Sequence, residues 1–163
     1  SVIVCSKPNA GVVTIAQKEG IPLLLVDKND FYTHGYGEEL KKRGITHIIL
    51  AGFLLKIPEV LIQNFSGRIY NLHPSLLPAY GGKGMYGKSV HNAVLMAGEK
   101  KSGITIHVVD ASYDTGPIIA QFECVVDKND TAESLAKKIH ALEHQHFPRV
   151  LEEILLCSNS SNS

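Results

Sequence analysis

Short, almost purely apolar segments alternate with amphipathic segments along the first half of the chain. The apolar segments predict strands at 2–5, 22–26, 47–51 and 69–71. The amphipathic segments predict helices at 11–18, from a turn at 27–30 to Arg43, and at 59–65, with Gly44 in the position of a helix stop. Because continuously apolar strands separated by helices have both faces buried, this half predicts a parallel sheet covered on both sides.

The second half of the chain shows a different order of predicted elements. A glycine-rich loop at 81–87 precedes a predicted helix at 89–97, and predicted strands follow at 103–110 and 117–126. The connection between these two strands is too short for a crossover helix, so they should pair antiparallel. A capping-box pattern at 130–133 opens a last helix, which Pro148 should kink. The prediction is an α/β fold with an open, mostly parallel sheet, helices on both faces and antiparallel strands in the C-terminal half.

Composition narrows the class of protein further. One domain at 1–156 is expected, followed by a Ser/Asn-rich polar tail at 157–163 that should be disordered. Sixteen basic residues balance sixteen acidic ones, and this argues against a nucleic acid or an anionic membrane as partner. No apolar run approaches the roughly 20 residues of a spanning helix. The three cysteines, odd in number and far apart, suit reduced thiols and a cytoplasmic location.

Two polar side chains stand where the fourth predicted strand ends. Asn71 and His73 follow the apolar residues of that strand, and Pro74 and Pro78 prevent the strand from continuing. The carboxyl edge of a sheet is where open α/β folds bind their ligands. Asp114 lies in the loop between the last two predicted strands, and such a loop can bring its carboxylate to the imidazole of His73. We therefore expect a site that combines an amide, an imidazole and a carboxylate.

Two other motifs suggest different chemistry. Segment 82–89 satisfies the P-loop pattern, but the prolines before it occupy the approach where a buried strand should be. A mobile loop on the substrate side is the preferred interpretation. His140 to His144 matches the HxxEH pattern of zinc peptidases, yet the only acidic residues further along lie on the same predicted helix. No metal site is predicted.

The pattern Asn71-x-His73-Pro74-Ser75-Leu76-Leu77-Pro78, taken with Asp114-x-Gly116-Pro117, resembles the folate-dependent formyltransferases. The likeness extends over nearly the whole chain and is greatest for the members that formylate glycinamide ribonucleotide in purine biosynthesis. It implies a Rossmann-like formyltransferase fold and the transfer of a formyl group from 10-formyltetrahydrofolate, as co-substrate, to the amine of glycinamide ribonucleotide. A formyltetrahydrofolate deformylase, a methionyl-tRNA formyltransferase and an inactive folate- or nucleotide-binding module are the alternatives.

The resemblance also implies roles for individual residues. Asn71, His73 and Asp114 become the catalytic residues, and His140, Glu143 and Pro74 become contacts of the ribonucleotide. The wall around the folate corresponds to Leu54, Leu55, Lys56, Ile57, Asn71, Asp110, Ala111, Ser112, Tyr113 and Asp114. The family begins with a strand and a phosphate-binding turn that precede the position of Ser1, so roughly 30 further residues, one strand–helix unit, are expected upstream.

The chemistry expected at such a site is acyl transfer from one amine to another. Asn71 would donate a hydrogen bond to the developing oxyanion. A protonated His73 would do the same, and Asp114 is expected to raise the pKa of His73 so that the imidazole stays charged. Asp114 would also move the proton of the amine through a water molecule.

Overall fold

The computed structural model describes residues 1–32 and 35–160. The chain forms two compact units: one comprises Ser1–His47 and Ile57–Ser66, and the other Ile48–Lys56 and Gly67–Ser163. In chain order the elements are β1 (Ile3–Cys5), α1 (Gly11–Lys18), β2 (Leu23–Leu25), α2 (Lys28–Phe31), α3 (Gly35–Lys42), β3 (Ile48–Leu50), α4 (Glu59–Asn64), β4 (Ile69–His73), α5 (Lys88–Met96), β5 (Lys101–Val108), β6 (Ile118–Val125) and α6 (Ala132–Ser160). None of the described helices combines the length and the apolar character needed to cross a membrane.

The first unit is built on a parallel pair of strands. β1 pairs with β2 from Ile3 opposite Leu23 to Cys5 opposite Leu25, and α1 connects the two strands. The turn predicted at 27–30 is wrong, because these residues start helix α2. The carboxylate of Asp27 caps that helix by accepting the backbone N–H of Asn29 at 2.7 Å. A short helix of this kind has the same N-cap residue that a turn would use, so the sequence signal is ambiguous.

The second unit contains a four-stranded sheet in the order β3-β4-β5-β6. β3 and β4 run parallel, whereas the pairs β4–β5 and β5–β6 are antiparallel. The predicted α/β class, with antiparallel strands in the C-terminal half, is confirmed. Helices α5 and α6 cover this sheet through a core of buried side chains: Val94, Ile104, Val126, Leu135 and Ile139.

Helix α6 begins and ends differently from its prediction. The capping box predicted between Asp130 and Glu133 forms one residue later: the N–H of Ser134 donates to Thr131 Oγ1 at 3.2 Å, and the N–H of Thr131 donates to Ser134 Oγ at 2.9 Å. The helix continues through Pro148 to Ser160. The first residues of the tail predicted to be disordered, 157–160, are therefore helical, and 161–163 lie outside the described residues.

Candidate active site

Strand β4 carries two of the predicted site residues. It extends to His73, two residues beyond its predicted end, so His73 belongs to the strand and not to the following loop. Asn71 and His73 are two positions apart and therefore point to the same face of the sheet. The antiparallel register places Asn71 opposite His107 and His73 opposite Thr105 of β5. His73 is buried, and Asn71 is half-buried.

Thr105 fixes the proline-rich loop that follows β4. Its hydroxyl donates to the carbonyl of Ser75 at 2.7 Å and accepts the N–H of Leu77 at 3.0 Å. The side-chain amide of Gln121 donates to the carbonyl of Leu77 and to Thr105 Oγ1, both at 2.9 Å. These polar groups replace the ladder hydrogen bonds that the prolines prevent. The loop is consequently held against the sheet at the point where His73 emerges.

The loop between β5 and β6 holds Asp114. The carboxylate of Asp110 accepts the hydroxyl of Thr115 at 2.8 Å and the N–H of Ser112 at 3.0 Å, and so closes the loop on itself. Gly116 lies so close to the sheet that a Cβ there would come within 1.9 Å of the carbonyl oxygen of Val108. Asp114 has a positive φ of 57°, which is uncommon for a residue other than glycine. This closed loop orients its carboxylate towards β4.

His73 and Asp114 are neighbours in the structure. Nδ1 of His73 lies 3.5 Å from Oδ2 of Asp114, and both side chains are largely buried. The other ring nitrogen, Nε2, lies 2.8 Å from the carbonyl oxygen of Tyr80, to which it donates. The backbone N–H of Gly82 donates to the same carboxylate oxygen of Asp114 at 2.8 Å. The imidazole and the carboxylate are thus both held by the turn at 80–82.

The pKa of His73 is lowered, so the expected net increase is wrong. Burial is the largest cause, because it disfavours the charged imidazole, and the neighbouring His107 lowers the pKa further. The carbonyl of Tyr80 and the carboxylate of Asp114 both raise the pKa, but together they do not compensate for burial. Asp114 therefore acts in the expected direction without determining the result.

The pKa of Asp114 is held below its usual value. Burial alone would raise it, but the neighbouring ring of His107, the N–H of Gly82 and the positive charges that His73 and His107 can carry outweigh that effect. Its carboxylate is consequently ionised at neutral pH, beside an imidazole that burial tends to keep neutral. Such a pair can accept a proton, because the new imidazolium would be stabilised at once by the adjacent carboxylate.

His107 is a residue of this site that the sequence prediction missed. Its Nδ1 lies 2.9 Å from the carbonyl of Val108, and its Nε2 lies 3.2 Å from Asn71 Nδ2 and 3.6 Å from Asp114 Oδ1. The ring is only 2% exposed. A histidine between two apolar residues, Ile106 and Val108, was the available signal, because a polar group buried in a strand needs a partner. With its proton on Nδ1, the ring accepts the amide N–H of Asn71 at Nε2.

Comparison with known proteins identifies the family of this chain. The family model described as formyl transferase matches residues 1–151. The chain belongs to the formyl transferase family. It is 37% identical over 164 residues to phosphoribosylglycinamide formyltransferase of Bacillus subtilis (strain 168), a match that covers 98% of this chain and 82% of that protein.

Further members of the family show the same similarity. The chain is 43% identical over 159 residues to the chloroplastic phosphoribosylglycinamide formyltransferase of Vigna unguiculata, covering 94% of this chain and 51% of that protein. It therefore spans about half the length of the plant relatives that it matches. The crystal structure of phosphoribosylglycinamide formyltransferase from Bacillus halodurans superimposes with a TM-score of 0.85 at 34% identity, covering 95% of this chain and 80% of that one.

The residues predicted to contact a folate fall into three environments. Leu54 is 56% exposed, Leu55 is half-buried and Lys56 is exposed, and all three belong to the second unit. Ile57 belongs to the first unit and is buried there, so its side chain is engaged in packing. In the loop after β5, Asp110 and Asp114 are half-buried, whereas Ala111, Ser112 and Tyr113 are exposed.

The residues predicted to contact the ribonucleotide are Pro74 and two side chains on α6. Pro74 follows His73 directly and is half-buried. Burial raises the pKa of Glu143, although the neighbouring His140 and His144 oppose this effect. On the facing helix α5, His91 is 3% exposed; burial lowers its pKa, and so does the charge of His140. His140, which is exposed, therefore acts electrostatically both on Glu143 of its own helix and on His91 of α5.

The two competing motifs have no further support in the described residues. β4 ends at His73 and no strand leads into Gly82, so segment 82–89 lacks the strand–loop–helix context of a P-loop. Among residues 1–32 and 35–160, no group of three or more His, Cys, Asp or Glu side chains is placed to hold a metal ion.

Proposed function

We propose that this protein transfers a formyl group from 10-formyltetrahydrofolate to the primary amine of glycinamide ribonucleotide, a step of purine biosynthesis. Membership of the formyl transferase family supports this reaction class, and relatives named phosphoribosylglycinamide formyltransferase support the acceptor. The observation that carries the proposal is the 3.5 Å contact between His73 and Asp114, with Asn71 on the same face of β4. Acyl transfer between amines needs a donor for the oxyanion and an acceptor for the proton, and these three side chains supply both.

Asn71 has the role of oxyanion donor in this proposal. When the amine attacks the formyl carbon, a C–N bond forms and the formyl oxygen becomes negatively charged. One N–H of the Asn71 amide is directed to His107, which fixes the plane of the amide and leaves the second N–H for the substrate. A donor that is oriented before the reaction stabilises the oxyanion without reorganisation at the moment of attack.

His73 and Asp114 have the role of proton acceptor. The attacking amine becomes positively charged as its bond forms, and its proton passes to the pair, directly or through a water molecule. Collapse of the tetrahedral intermediate breaks the bond from the formyl carbon to the folate nitrogen, and that nitrogen takes the proton back. The products are formylated glycinamide ribonucleotide and tetrahydrofolate. This sequence needs neither a covalent enzyme intermediate nor a metal ion.

The binding surfaces of the proposal extend from this centre. Leu54, Leu55, Lys56 and the loop 110–114 would line the folate. His140, Glu143 and Pro74 would contact the ribonucleotide, where a half-buried carboxyl suits ribose hydroxyls or an ammonium group. We further propose a cytoplasmic enzyme that acts on small molecules and not on nucleic acid. Its three cysteines, Cys5, Cys124 and Cys157, are far apart in the sequence and odd in number, which suits reduced thiols.

The test is an assay of 10-formyltetrahydrofolate consumption by the purified chain, with and without glycinamide ribonucleotide. Turnover that requires the ribonucleotide and yields a formylated product supports the proposal. Consumption without any amine acceptor would instead indicate a deformylase. Calorimetry with a folate and with a nucleoside triphosphate provides a second measurement, and binding of the triphosphate alone would overturn the assignment.

A further inference from the structure

We propose that Tyr80 is a positioning residue that fixes the proton of neutral His73 on Nε2, so that Nδ1, beside Asp114, is the nitrogen that exchanges a proton. The carbonyl oxygen of Tyr80 lies 2.8 Å from His73 Nε2. A carbonyl can only accept, so the hydrogen bond exists only when Nε2 carries hydrogen. The tautomer of a histidine is set in this way by the partner of its other nitrogen.

The backbone of Tyr80 adopts a conformation that its own side chain must stabilise. Its φ of 57° is in the left-handed region, which is unusual for a bulky residue. The aromatic ring packs against the core cluster of the second unit, and the phenol donates to a carboxylate oxygen of Glu99 at 2.8 Å. The ring and the hydroxyl thus hold the peptide plane whose carbonyl meets His73.

The residues after Tyr80 extend the same turn to Asp114. A Cβ on Gly81 would lie 2.5 Å from Leu77 Cδ2 and 3.2 Å from Asp114 Cβ, so the turn packs directly on the carboxylate-bearing residue. The N–H of Gly82 then donates to Asp114 Oδ2, the oxygen that faces His73 Nδ1. One turn therefore determines both the tautomer of the imidazole and the position of the carboxylate.

The titratable groups that act on His73 are Asp114 and His107. Asp114 approaches from the loop after β5 and His107 from β5 itself, while β4 contributes the histidine. With hydrogen on Nε2, the lone pair of Nδ1 faces a carboxylate across 3.5 Å, and an added proton occupies that gap. The exchangeable proton is consequently next to Asp114, because the carbonyl of Tyr80 keeps the other proton on Nε2.

The first test uses the protein labelled with nitrogen-15 histidine. In the unmodified chain, at a pH where His73 is neutral, we expect its Nε2 resonance to be that of a protonated nitrogen and its Nδ1 resonance that of an unprotonated one. Loss of these signals in His73→Asn assigns them. If neutral His73 instead carries its hydrogen on Nδ1, the proposal is wrong, and no Tyr80 variant is needed to show it.

The second test removes the side chain that stabilises the turn. Tyr80→Gly accepts the positive φ without strain but loses the ring and the hydroxyl, so we expect a mixture of tautomers. Turnover should fall roughly 10- to 100-fold, with KM for the folate within about twofold, because misplacement affects the chemical step. Tyr80→Phe, which keeps the ring, should retain most of the Nε2 protonation. Tyr32→Phe, in the other unit, is the control.

The outcomes distinguish a failure of this proposal from a failure of the proposed function. Only the turnover measurement rests on the proposed function; the nitrogen spectra do not. An unchanged tautomer in a folded Tyr80→Gly protein refutes the role of Tyr80, whatever the enzyme does. If Tyr80→Gly does not fold, Tyr80→Asn, which also lacks the ring and tolerates a positive φ, provides the same comparison. If the nitrogen spectra are as expected but glycinamide ribonucleotide is not formylated, the proposed tautomer of His73 is supported and the proposed substrate is contradicted.

Discussion

Asn71 and His107 face each other across the antiparallel strands β4 and β5, with Asn71 Nδ2 3.2 Å from His107 Nε2. Side chains directly opposite in such a pair are the closest neighbours on one face of a sheet. Because Val108 fixes the hydrogen of His107 on Nδ1, the only group that Nε2 can offer to Asn71 is an acceptor. The orientation of the Asn71 amide therefore follows from the strand register and one backbone carbonyl.

Replacing Asn71 by alanine should remove the donor to the oxyanion. We expect the turnover number to fall roughly 100- to 1,000-fold, equivalent to about 3–4 kcal/mol, with a much smaller change in KM for the folate. Steady-state kinetics with both substrates measures this effect. Asn92→Ala, at an exposed position of α5, is the matched control. An unchanged turnover number for Asn71→Ala would contradict the assignment.

Two substitutions of His107 distinguish the contributions of its two ring nitrogens. Glutamine can place an amide oxygen near the position of Nε2, whereas asparagine can replace only the Nδ1 side of the ring. We expect His107→Asn to lose at least about tenfold in turnover and His107→Gln to retain more activity, since a misplaced Asn71 affects the reacting geometry. Thermal unfolding should be recorded for both, because an unsatisfied buried polar group costs about 1–3 kcal/mol. Equal losses of activity at equal stability would count against the orienting role.

Asp114→Asn should move the acidic limb of the pH profile to lower pH. The carboxylate raises the pKa of His73 against the larger effect of burial, so its removal lets that pKa fall further. In the proposed mechanism His73 must be neutral to accept a proton, and the acidic limb of kcat/KM reports its protonation. The rate at neutral pH should also fall, while folate affinity stays nearly constant. A limb at its original position would show that Asp114 does not tune the histidine.

The start of α6 should make the fold sensitive to acid. Lys138, Ser134 and the N–H of Asp127 all donate to the carboxylate of Asp130, and these bonds lower its pKa to about 2, with Lys138 the largest cause. A carboxyl with a lowered folded pKa stabilises the fold fully above its unfolded pKa, near 4, and loses that contribution as the pH falls through 2.

Asp130→Asn tests this sensitivity directly. At pH 6 we expect the variant to be destabilised by about 1 kcal/mol, the usual size of a lost helix-terminal hydrogen bond. The difference in unfolding temperature between the two proteins should shrink steadily as the pH is lowered from 4 to 2. Calorimetry across this range measures it. Asp27→Asn, at the cap of α2 in the other unit, is the comparison, and equal behaviour of both variants would refute a special role for Asp130.

The sequence predicted those features that depend on local pattern. Each predicted strand has a counterpart among the described residues, and the short connection between β5 and β6 predicted their antiparallel pairing, which the structure confirms. The neighbourhood of His73 and Asp114 was also foreseeable, because a strand end and a loop of one sheet can meet at its edge. The errors at boundaries have physical reasons: β4 extends to His73 because β5 places Thr105 opposite this residue and so continues the strand pairing.

The electrostatic character of the site was not accessible from the sequence. The direction of the His73 pKa depends on burial, which is set by packing around residues distant in the chain. The roles of Tyr80 and Gly82 depend on backbone groups, a carbonyl and an N–H, that every residue possesses. No residue type signals such a contact. His107 was detectable in principle as a polar residue in a buried strand, but its partners depend on the register.

The hydrogen bond between Thr115 and Asp110 lets one part of the loop hold the Asp114 carboxylate while another part faces solvent. These two side chains and the close approach of Gly116 to Val108 hold the segment at both ends. The residues between Asp110 and Asp114 are exposed, and their side chains do not orient the carboxylate. Positions 111–113 can therefore be randomised in a library while the reactive group stays in register. In the proposed function these positions contact the folate, so selection on altered pterin analogues should first recover variants at 111–113, with turnover preserved and the preference between analogues changed.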